Sequence, residues 1–555
     1  MTARTGGELI VECLRAQGTD RVFCVPGESY LAVLDALHDS GIDVVSARHE
    51  GGAAMMAEAD AKLTGRPGIA FVTRGPGATN AASGVHVAKQ DGTPMILFVG
   101  QIGRRMRGRD AFQEVDYRQT FGDLAKWVEQ IDHADRIPEV LAHAWHVALN
   151  GRPGPVVLAL PEDMLREAAD AAVGPRVEPV RSAPTAAQVD RFGRLLAEAR
   201  APMMVLGGSV WDADDVAAVT AFAERTGLPV AASFRRQQLF DHLHPQYAGD
   251  VGLGINPALR RRLEDADLLI LLGARFSENP SQGFELLDIP RPRQRVVHVH
   301  PGPEELGRIY HPELAINAAP GAFLEAIAGV GSGDADARRA QALAAHEDYL
   351  AWSGTPAPLP GALQYGEIIA GLHTRLPEDA ILTNGAGNYA IWLHRHYRFR
   401  RFGTQLAPTS GSMGYGLPAA VAASLRHPDR DVICLAGDGC FQMTGQELGT
   451  AFQFGARPLV LVVDNGMYGT IRMHQERTYP GRVSATDLIN PDFAALANAY
   501  GARAETVSDT EAFWPAFDRC LGFTRDVGGP ALLHLRLDAE AISPTATLSG
   551  LRGDA

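Results

Sequence analysis

Asp438 and Asn465 stand directly after two successive apolar runs, where side chains at strand ends can meet a ligand. Asp438 lies between Gly437 and Gly439 after the run DVICLA, and Asn465 follows the run PLVLVVD. Glycines let a phosphate approach the backbone, and carboxylate, amide and backbone carbonyl oxygens are ligands that Mg2+ takes. Asp438, Asn465 and the carbonyl of Met467 would supply three such oxygens. The tripeptide alone is also an ordinary turn, but the spacing brings both residues to adjacent strand ends and favours a diphosphate and metal site.

Glu50 is a second carboxylate that comes just after an apolar run. It follows IDVVSARH and opens a stretch of small residues, Gly51 to Ala54, that predicts a closely packed helix. Such a carboxylate can share a proton with a ligand as a general acid and base, or it can simply favour the helix dipole by about 0.3–1 kcal/mol. Met413 lies in the glycine-rich stretch SGSMGYGLPAA, where a methionine either supports a ligand or fills the core.

Three sets of short apolar runs must position these residues. In each set the runs alternate with helical stretches, which is the pattern of βα units and a parallel sheet. The runs end in Gly, Pro, Ser or Asp, at the edge where open α/β sheets bind ligands. A chain of 555 residues holds about three domains. We therefore predict an α/β protein with three doubly wound parallel-sheet domains, at residues 1–172, 186–332 and 360–545.

The composition excludes several classes of protein. A formal net charge of −14 argues against a nucleic-acid partner. No apolar run reaches the roughly 18 residues that a membrane span needs, and the first residues do not resemble a secretory signal. The 5 cysteines contain no CxxC pair and favour a reducing compartment over a disulfide framework. We expect a cytoplasmic protein without a membrane or nucleic-acid partner.

The C-terminal motif resembles that of the thiamine diphosphate (ThDP) enzymes, in which GDG is followed by an Asn-Asn pair. The pair here is Asp464-Asn465, which keeps the second, ligand-bearing Asn. The resemblance implies that Asp438, Asn465 and the Met467 carbonyl hold Mg2+ on the diphosphate of the cofactor.

The same resemblance gives roles at the pyrimidine end of the cofactor. RHE before a small-residue helix is what the family carries where a Glu shares a proton with the aminopyrimidine ring, which implies this role for Glu50. The Gly411 carbonyl would accept a hydrogen bond from the amino group of that ring, and Met413 would support the bent cofactor. In this family the pyrimidine site of one subunit faces the diphosphate site of another, so a homodimer or homotetramer is expected.

Within the family the sequence is most similar to the acetolactate synthases. RGPGATN resembles their SGPGATN, with Arg74 in place of Ser, and AFQEVD resembles their AFQE-D. The resemblance implies that Gln113 lies near the thiazolium, that Phe112 lines the substrate channel and that Lys126 corresponds to a channel lysine. The alternatives are a plain strand-to-helix turn for GPGATN and a solvated surface charge for Lys126.

At three places the sequence departs from the patterns of its relatives in residues that would lie near the substrate. His474 stands where biosynthetic acetohydroxyacid synthases carry a Trp that helps to select 2-ketobutyrate. Glu28 stands where those synthases have Gly, and it is either a proton relay to the reaction intermediate or a capping carboxylate. The paired His of the decarboxylases is missing. With Tyr30 and Phe112, His474 is expected to line the substrate site.

The middle of the chain resembles the FAD-binding module of acetolactate synthases in GGS, at residues 207–209, and GARF, at residues 273–276. In the synthases GARF continues into Asp-Asp, whereas here it continues into Ser277-Glu278. The resemblance therefore leaves open whether this protein binds FAD.

These observations predict a ThDP- and Mg2+-dependent carboligase. It would decarboxylate a 2-oxo acid, most simply pyruvate, and join the remaining acyl group to a second carbonyl. The alternative within the class is a lyase or decarboxylase that acts on another 2-oxo acid or an acyloin. A catalytically silent subunit on the same fold is disfavoured by Glu50, Asp438 and Asn465, and a nicotinamide-dependent dehydrogenase by the lack of a GxGxxG motif after the first strand.

Overall fold

The computed structural model describes residues 3–331 and 333–553 and contains three six-stranded parallel sheets. This confirms the predicted fold class. The predicted domain limits at residues 1 and 332 lie outside the described residues. No helix in the described part of the chain is long and apolar enough to cross a membrane.

The N-terminal sheet has the strand order β3-β2-β4-β5-β7-β6, and its four inner strands are buried apolar runs of the first third of the chain. Helix α3 has small residues along its length and packs closely on α4; a Cβ on Gly84 would lie 2.4 Å from that of Ala54. The elements are β1 Arg4–Thr5, α1 Gly6–Ala16, β2 Arg21–Cys24, α2 Leu31–Leu37, β3 Asp43–Ser46, α3 Glu50–Thr64, β4 Gly68–Val72, α4 Pro76–Asp91, β5 Met95–Gln101, α5 Tyr117–Phe121, β6 Trp127–Gln130, α6 Ile137–Leu149, β7 Pro155–Pro161 and β8 Ala168–Ala169.

The central sheet has the order β11-β10-β9-β12-β13-β14, so β9 and β12 are its neighbouring inner strands. A long helix, α11, follows it and packs on β11. The elements are α7 Ala186–Glu198, β9 Pro202–Leu206, α8 Ala213–Thr226, β10 Val230–Ser233, β11 Tyr247–Val251, α9 Pro257–Asp265, β12 Leu268–Leu272, β13 Arg295–His300, β14 Leu314–Asn317, α10 Pro320–Ala326 and α11 Ala335–Ser353.

The C-terminal sheet has the order β16-β15-β17-β18-β20-β19, with β17 and β18 side by side as the motif spacing predicts. The elements are α12 Tyr365–Arg375, β15 Ile381–Asn384, α13 Tyr389–His396, β16 Gln405–Leu406, α14 Gly416–Arg426, β17 Val432–Gly437, α15 Asp438–Gln442, α16 Glu447–Phe454, β18 Leu459–Asp464, α17 Gly469–Thr478, α18 Phe493–Ala499, β19 Arg503–Val507, α19 Thr510–Asp526, β20 Ala531–Arg536, β21 Ala541–Ser543, β22 Ala546–Thr547 and α20 Leu548–Arg552.

The connection from β17 to β18 contains two short helices. A first short helix, α15, begins at Asp438 itself, and a second, α16, begins at Glu447. Between them the Thr444 hydroxyl donates a hydrogen bond of 2.7 Å to the Gly414 carbonyl. This bond ties the break between the two helices to the loop that carries Met413.

Candidate active site

A cavity of about 240 Å3 lies at the carboxyl ends of β17 and β18. Its lining residues all fall within residues 386–542 and include every residue that the sequence assigns to the diphosphate and the metal, together with two tyrosine rings. They include Tyr389, Gly411, Met413, Gly437, Asp438, Gly439, Asn465, Met467 and Tyr468. The structure therefore brings the C-terminal motif residues together around one space.

Asp438 is buried at the start of α15, at the wall of this cavity. Its Oδ1 accepts a hydrogen bond of 2.9 Å from the Gly439 N–H, and its Oδ2 accepts one of 2.8 Å from Asn490 Nδ2. Burial raises the pKa of Asp438 to about 6, although the Asn490 amide and the Gly439 N–H act in the opposite direction. A buried carboxylate with only these neutral donors is suited to bind a cation.

Asp464, the first residue of the Asp-Asn pair, is held by protein groups. His534 Nε2 lies 2.8 Å from its Oδ2, and its Oδ1 accepts hydrogen bonds from Gly466 N–H and Asn490 Nδ2 at 3.0 and 2.7 Å. Burial raises the pKa of Asp464, but the hydrogen bonds from His534 and Asn490 outweigh it and leave that pKa below its usual value. Asp464 thus fixes the turn after β18, and the next residue, Asn465, lines the cavity.

Asn490 and His534 are functional neighbours that sequence reasoning missed. Asn490 joins the carboxylates of Asp438 and Asp464 although it belongs to neither motif. No group of three or more His, Cys, Asp or Glu residues in the described part of the chain could hold a metal ion. A cation at Asp438 would therefore take its other oxygens from an amide, a backbone carbonyl, a bound ligand or water.

The glycines around Asp438 are required by the two tyrosine rings. A Cβ on Gly437 would lie 2.9 Å from Cδ1 of Tyr389, and a Cβ on Gly439 would lie 2.6 Å from Cε1 of Tyr468. The Tyr389 hydroxyl accepts a hydrogen bond from Gly385 N–H at 3.1 Å and donates to Cys440 Sγ at 3.4 Å. This arrangement places backbone, without side chains, against the cavity on both sides of the carboxylate.

Met413 lies on a loop, residues 408–414, that is held at both ends. At its end the Gly414 N–H donates to Cys440 Sγ at 3.1 Å. At its beginning Thr409 N–H donates to Asp91 Oδ1 at 2.7 Å. Gly411 and Gly414 have φ of +69° and +79°, which glycine adopts without strain. The loop therefore runs along the cavity with Gly411 and Met413 in its wall.

The N-terminal domain holds a second group of predicted residues around Glu50. Glu50 is the first residue of α3, and its Oε2 accepts a hydrogen bond of 3.0 Å from Asn80 Nδ2 on α4. A Cβ on Gly77 would lie 3.2 Å from Glu50 Oε1, so a glycine there leaves room for the carboxylate. Helix α3 is capped by His49 Nδ1, which accepts from Gly51 N–H. The cap is thus supplied by His49, which leaves Glu50 free for another role.

Gln113 lies beside this group. Gly75 and Gln113 both have positive φ, of 61° and 65°, and a Cβ on Gly75 would lie only 2.8 Å from that of Gln113. The Gly75 N–H donates a hydrogen bond of 2.9 Å to the Tyr117 hydroxyl. Neighbouring Phe112 is 75% exposed, which is unusual for a large apolar side chain and indicates a surface available for a ligand or another protein chain.

Glu28 and Tyr30 lie in the turn after β2. Glu28 accepts a hydrogen bond from Arg74, whereas Tyr30 is fully buried and its hydroxyl donates to the Val25 carbonyl at 2.6 Å. Burial raises the pKa of Tyr30 well above its usual range. Tyr30 is therefore a core residue in this structure, and its predicted place in the substrate lining is wrong for the isolated chain.

Lys126 is not brought to the Glu50 group. It precedes β6, at the amino edge of the parallel N-terminal sheet, whereas Glu50 and Gln113 lie at the carboxyl edge. Its Nζ donates to the carbonyls of Val147 and Arg152, at 2.7 and 2.9 Å, and so caps the end of α6. This position contradicts the prediction that Lys126 lines a substrate channel, because the ammonium group neutralises helix carbonyls instead.

His474 is exposed on α17, one turn beyond Thr470 and Ile471, which line the C-terminal cavity. His474 thus lies on the same helix as two lining residues, but it does not itself line the cavity. Its predicted role beside the substrate stays a prediction.

A larger cavity, of about 400 Å3, lies where the three domains meet, at the glycine turns that follow β9 and β12. We call it the central cavity. The two turns touch, since a Cβ on Gly208 would lie 2.4 Å from the Gly273 carbonyl oxygen. Arg236 and Arg275 line this cavity, as does Glu278. Glycine turns with arginines suit a phosphate-bearing ligand.

Comparison with known protein families shows the family to which the chain belongs. Models of the thiamine pyrophosphate enzymes match three regions: the N-terminal TPP binding domain at residues 4–120, the central domain at residues 189–327 and the C-terminal TPP binding domain at residues 385–535. The chain therefore belongs to the thiamine pyrophosphate (ThDP) enzymes and is a ThDP-dependent enzyme.

Several relatives align with nearly the whole chain. The acetolactate synthase isozyme 2 large subunit of Escherichia coli (strain K12) is 32% identical over 539 residues, which cover 96% of this chain and 95% of that protein. The acetolactate synthase large subunit of Corynebacterium glutamicum is 34% identical over 535 residues, with 93% and 84% covered. The isozyme 1 large subunit of Escherichia coli is 30% identical over 552 residues, with 97% and 94% covered. The resemblance to acetolactate synthases is confirmed.

Proposed function

We propose that this ThDP-dependent enzyme is a Mg2+-dependent carboligase of the acetolactate synthase type. It decarboxylates a 2-oxo acid, most simply pyruvate, and joins the acyl group to a second carbonyl. ThDP, when bound, supplies a nucleophilic carbon that adds to the keto group and takes up the electron pair left when carbon dioxide departs. The observation that carries the proposal is the convergence of Asp438, Asn465 and Met467 on one glycine-lined cavity.

The residues around Asp438 fit Mg2+. Mg2+ binds through one or two carboxylates together with phosphate oxygens and other oxygen donors, and Asp438 offers a buried carboxylate whose pKa is raised to about 6 by burial. A cation there would stabilise the ionised form. Asp438, the Asn465 amide and the Met467 carbonyl would hold the metal, while Gly437 and Gly439 leave space for the diphosphate.

Glu50 serves as the acid and base at the other end of the cofactor. Its carboxylate is held by Asn80 and faces the space left by Gly77, so it can hold or release a proton at a fixed position. The residues that line the C-terminal cavity lie within residues 386–542, and none of them is Glu50. We therefore extend the proposal to a homodimer or homotetramer in which a second copy of the chain brings Glu50 to this cavity.

The central cavity fits the phosphate groups of FAD, and we include FAD in the proposal. The turns at Gly208 and Gly273 leave the backbone free to approach a diphosphate, and Arg236 and Arg275 supply positive charge. We expect the purified protein to show the visible absorption band of a flavin, and we expect denaturation to release that flavin. A colourless protein that takes up no flavin would exclude FAD as a cofactor and leave the carboligase proposal standing.

The location we propose is the cytoplasm, in keeping with cysteines that are all buried and free.

The test is to incubate the purified protein with ThDP, Mg2+ and pyruvate, with and without an added aldehyde, and to identify the products by mass spectrometry. Loss of pyruvate with formation of acetolactate or an acyloin supports the proposal. Release of free acetaldehyde with no carbon–carbon bond formed would favour a decarboxylase instead. No consumption of pyruvate by a protein that still binds ThDP would contradict pyruvate as the donor, and a set of other 2-oxo acids and acyloins would then be tried.

A further inference from the structure

Arg74 and Glu28 both depart from the acetolactate synthase motifs, and the structure makes them partners. Arg74 Nη2 donates to Glu28 Oε1 at 3.2 Å, and its Nη1 donates to Glu162 Oε2 at 3.3 Å. Arg74 is 8% exposed, whereas the Glu28 side chain is 74% exposed. A buried guanidinium thus holds a carboxylate that faces outward.

The pair lies at the edge of the sheet that carries Glu50. The strand order β3-β2-β4 places Glu50 after β3, Glu28 after β2 and Arg74 after β4. Because neighbouring strands are about 4.8 Å apart, the three strand ends lie within roughly 10 Å. The residue after Arg74 is Gly75, which packs against Gln113. The Glu28–Arg74 pair is therefore next to both groups that are assigned to the reacting end of the cofactor.

The formal charge of this group is negative. One guanidinium is shared by the carboxylates of Glu28 and Glu162, so the three side chains carry one net negative charge, and Glu50 adds another. Of the two carboxylates on Arg74, Glu28 is the more exposed, with 74% of its side chain accessible against 25% for Glu162. An incoming carboxylate would meet Glu28 before it met the buried Arg74, whereas an uncharged molecule would meet no such repulsion. The donor 2-oxo acid meets the same repulsion whichever product forms, so the pair distinguishes only between acceptors.

We propose that the Glu28–Arg74 pair selects the acceptor of the carboligation by charge, so that the preferred acceptor is an uncharged aldehyde and not a second 2-oxo acid. This inference rests on the proposed carboligase function. In the transfer, pyruvate loses carbon dioxide, a carbon–carbon bond forms to the aldehyde carbon, and the aldehyde oxygen takes up one proton. Pyruvate, acetaldehyde and a proton thus give acetoin and carbon dioxide, with no oxidant or reductant.

The experiment offers pyruvate and acetaldehyde together at equal concentrations and measures the ratio of acetoin to acetolactate. Wild-type protein is expected to give mainly acetoin. Glu28→Gln keeps the shape of the side chain and removes its charge, so the ratio is expected to fall by about tenfold. Glu162→Gln leaves Glu28 in place and neutralises the three-residue group, and it is expected to change the ratio in the same direction.

Glu139→Gln is the matched control, because Glu139 is an exposed acid that pairs with Arg136 and follows β6, which is four strands away from β2 in the sheet; its ratio should equal that of the wild type. An unchanged ratio in both Glu28→Gln and Glu162→Gln would overturn the proposal.

The Arg74 Nε–H is buried with no partner among the described residues. If Arg74 instead bound the donor carboxylate, Arg74→Ser would raise the KM for pyruvate with an unchanged product ratio, which would also overturn the proposal.

Failure of the carboligase proposal gives a different result. In that case the wild type forms no carbon–carbon bond with either acceptor, whether it releases acetaldehyde from pyruvate or leaves pyruvate unchanged, although ThDP binds. The charge selection is then measured by equilibrium binding of pyruvate and of its neutral methyl ester to the ThDP-loaded protein. The pair selects by charge if Glu28→Gln improves pyruvate binding relative to the ester by about tenfold, and it does not if the two affinities keep their wild-type ratio. Circular dichroism and ThDP binding verify that each variant is folded.

Discussion

Asp91, the last residue of α4, accepts hydrogen bonds from both the backbone N–H and the hydroxyl of Thr409, which lies in the C-terminal domain. The same carboxylate pairs with Lys62 and with Arg236 of the central domain. Thr409 lines the central cavity, whereas Met413, four residues later, lines the C-terminal cavity. One buried carboxylate thus joins all three domains and fixes the loop that forms a wall of both cavities.

Replacing Asp91 by Asn should destabilise the protein in a pH-dependent way. Burial opposes ionisation of Asp91, but Lys62 and Arg236 outweigh it and lower its pKa to about 2. A carboxylate with a depressed pKa stabilises the fold above its unfolded pKa of about 3.9, and this stability is lost as the pH falls through 2. We expect Asp91→Asn to cost about 3 kcal/mol near neutral pH, since it removes a shared carboxylate from two buried cations, of which Lys62 keeps Glu58 as a partner.

The measurement is Tm by differential scanning fluorimetry from pH 8 to pH 2. The Tm difference between wild type and Asp91→Asn should be constant down to about pH 5 and shrink between about pH 4 and 2. Asp39→Asn, at a fully exposed acid, should leave Tm unchanged throughout. A difference of the same size at pH 2 as at pH 7 would show that the charge of Asp91 is not the source of the stability.

Replacing Glu50 by Gln should separate catalysis from binding. Gln keeps the size of the side chain and the contact with Asn80 but cannot carry the proton, so we expect kcat to fall by about 10²- to 10⁴-fold. Binding of ThDP, followed by quenching of tryptophan fluorescence, should change far less. Asn80→Ser removes the hydrogen bond that orients Glu50 and should give a smaller loss of kcat. Full activity of Glu50→Gln would refute the acid–base role.

Replacing Asp438 by Asn should weaken ThDP binding through the metal. The substitution removes the charged oxygen from the proposed Mg2+ ligands, and we expect the apparent Kd for ThDP at fixed Mg2+ to rise by about 100-fold. Asn465→Ala, which removes a neutral ligand, should raise it by about tenfold.

Asp518→Asn is the control for these two variants, since Asp518 is an exposed acid on α19 that pairs with Arg375 in the same domain. Equilibrium dialysis at several Mg2+ concentrations measures all four proteins. If ThDP binding to Asp438→Asn kept the wild-type dependence on Mg2+, Asp438 would not be a metal ligand.

The sequence predicts the sheets and the two motifs because both depend on local information. Uninterrupted apolar runs such as those of β17 and β18 are typical of strands buried on both faces, and residues at successive strand ends must meet at one edge of a parallel sheet. That is why Asp438 and Asn465 lie in one cavity as expected.

The remaining features depend on contacts between distant parts of the chain. Asn490 lies in a loop with no motif, so nothing in the sequence marks it as the bridge between Asp438 and Asp464. Glu28 and Arg74 are visible as departures from the family pattern, but their pairing depends on β2 and β4 being neighbours. The predicted place of Lys126 is wrong because β6, which follows it, is not an apolar run, so the sequence pattern does not show that Lys126 precedes a strand.

Gly75 provides a last prediction, which concerns Gln113. Gly75→Ala puts a Cβ 2.8 Å from that of Gln113 at a φ of +61°, so the substitution both strains the backbone and displaces the segment that carries Gln113 and Phe112. Gly41→Ala is a matched control, because Gly41 also has a positive φ, +77°, but has no atom within 4 Å of the added Cβ.

Gly41→Ala should lose about 1 kcal/mol of stability from backbone strain, and Gly75→Ala should lose more, because its added Cβ also meets Gln113; both losses are measured as decreases in Tm. Only Gly75→Ala should also lose activity, by about tenfold or more, since a shift of about 1 Å near the reacting groups is enough. ThDP binding should change less than activity in both variants, because the proposed ligands of the diphosphate and the metal lie at Asp438, in another domain. Equal activity in the two variants would mean that the position of Gln113 does not matter for the reaction.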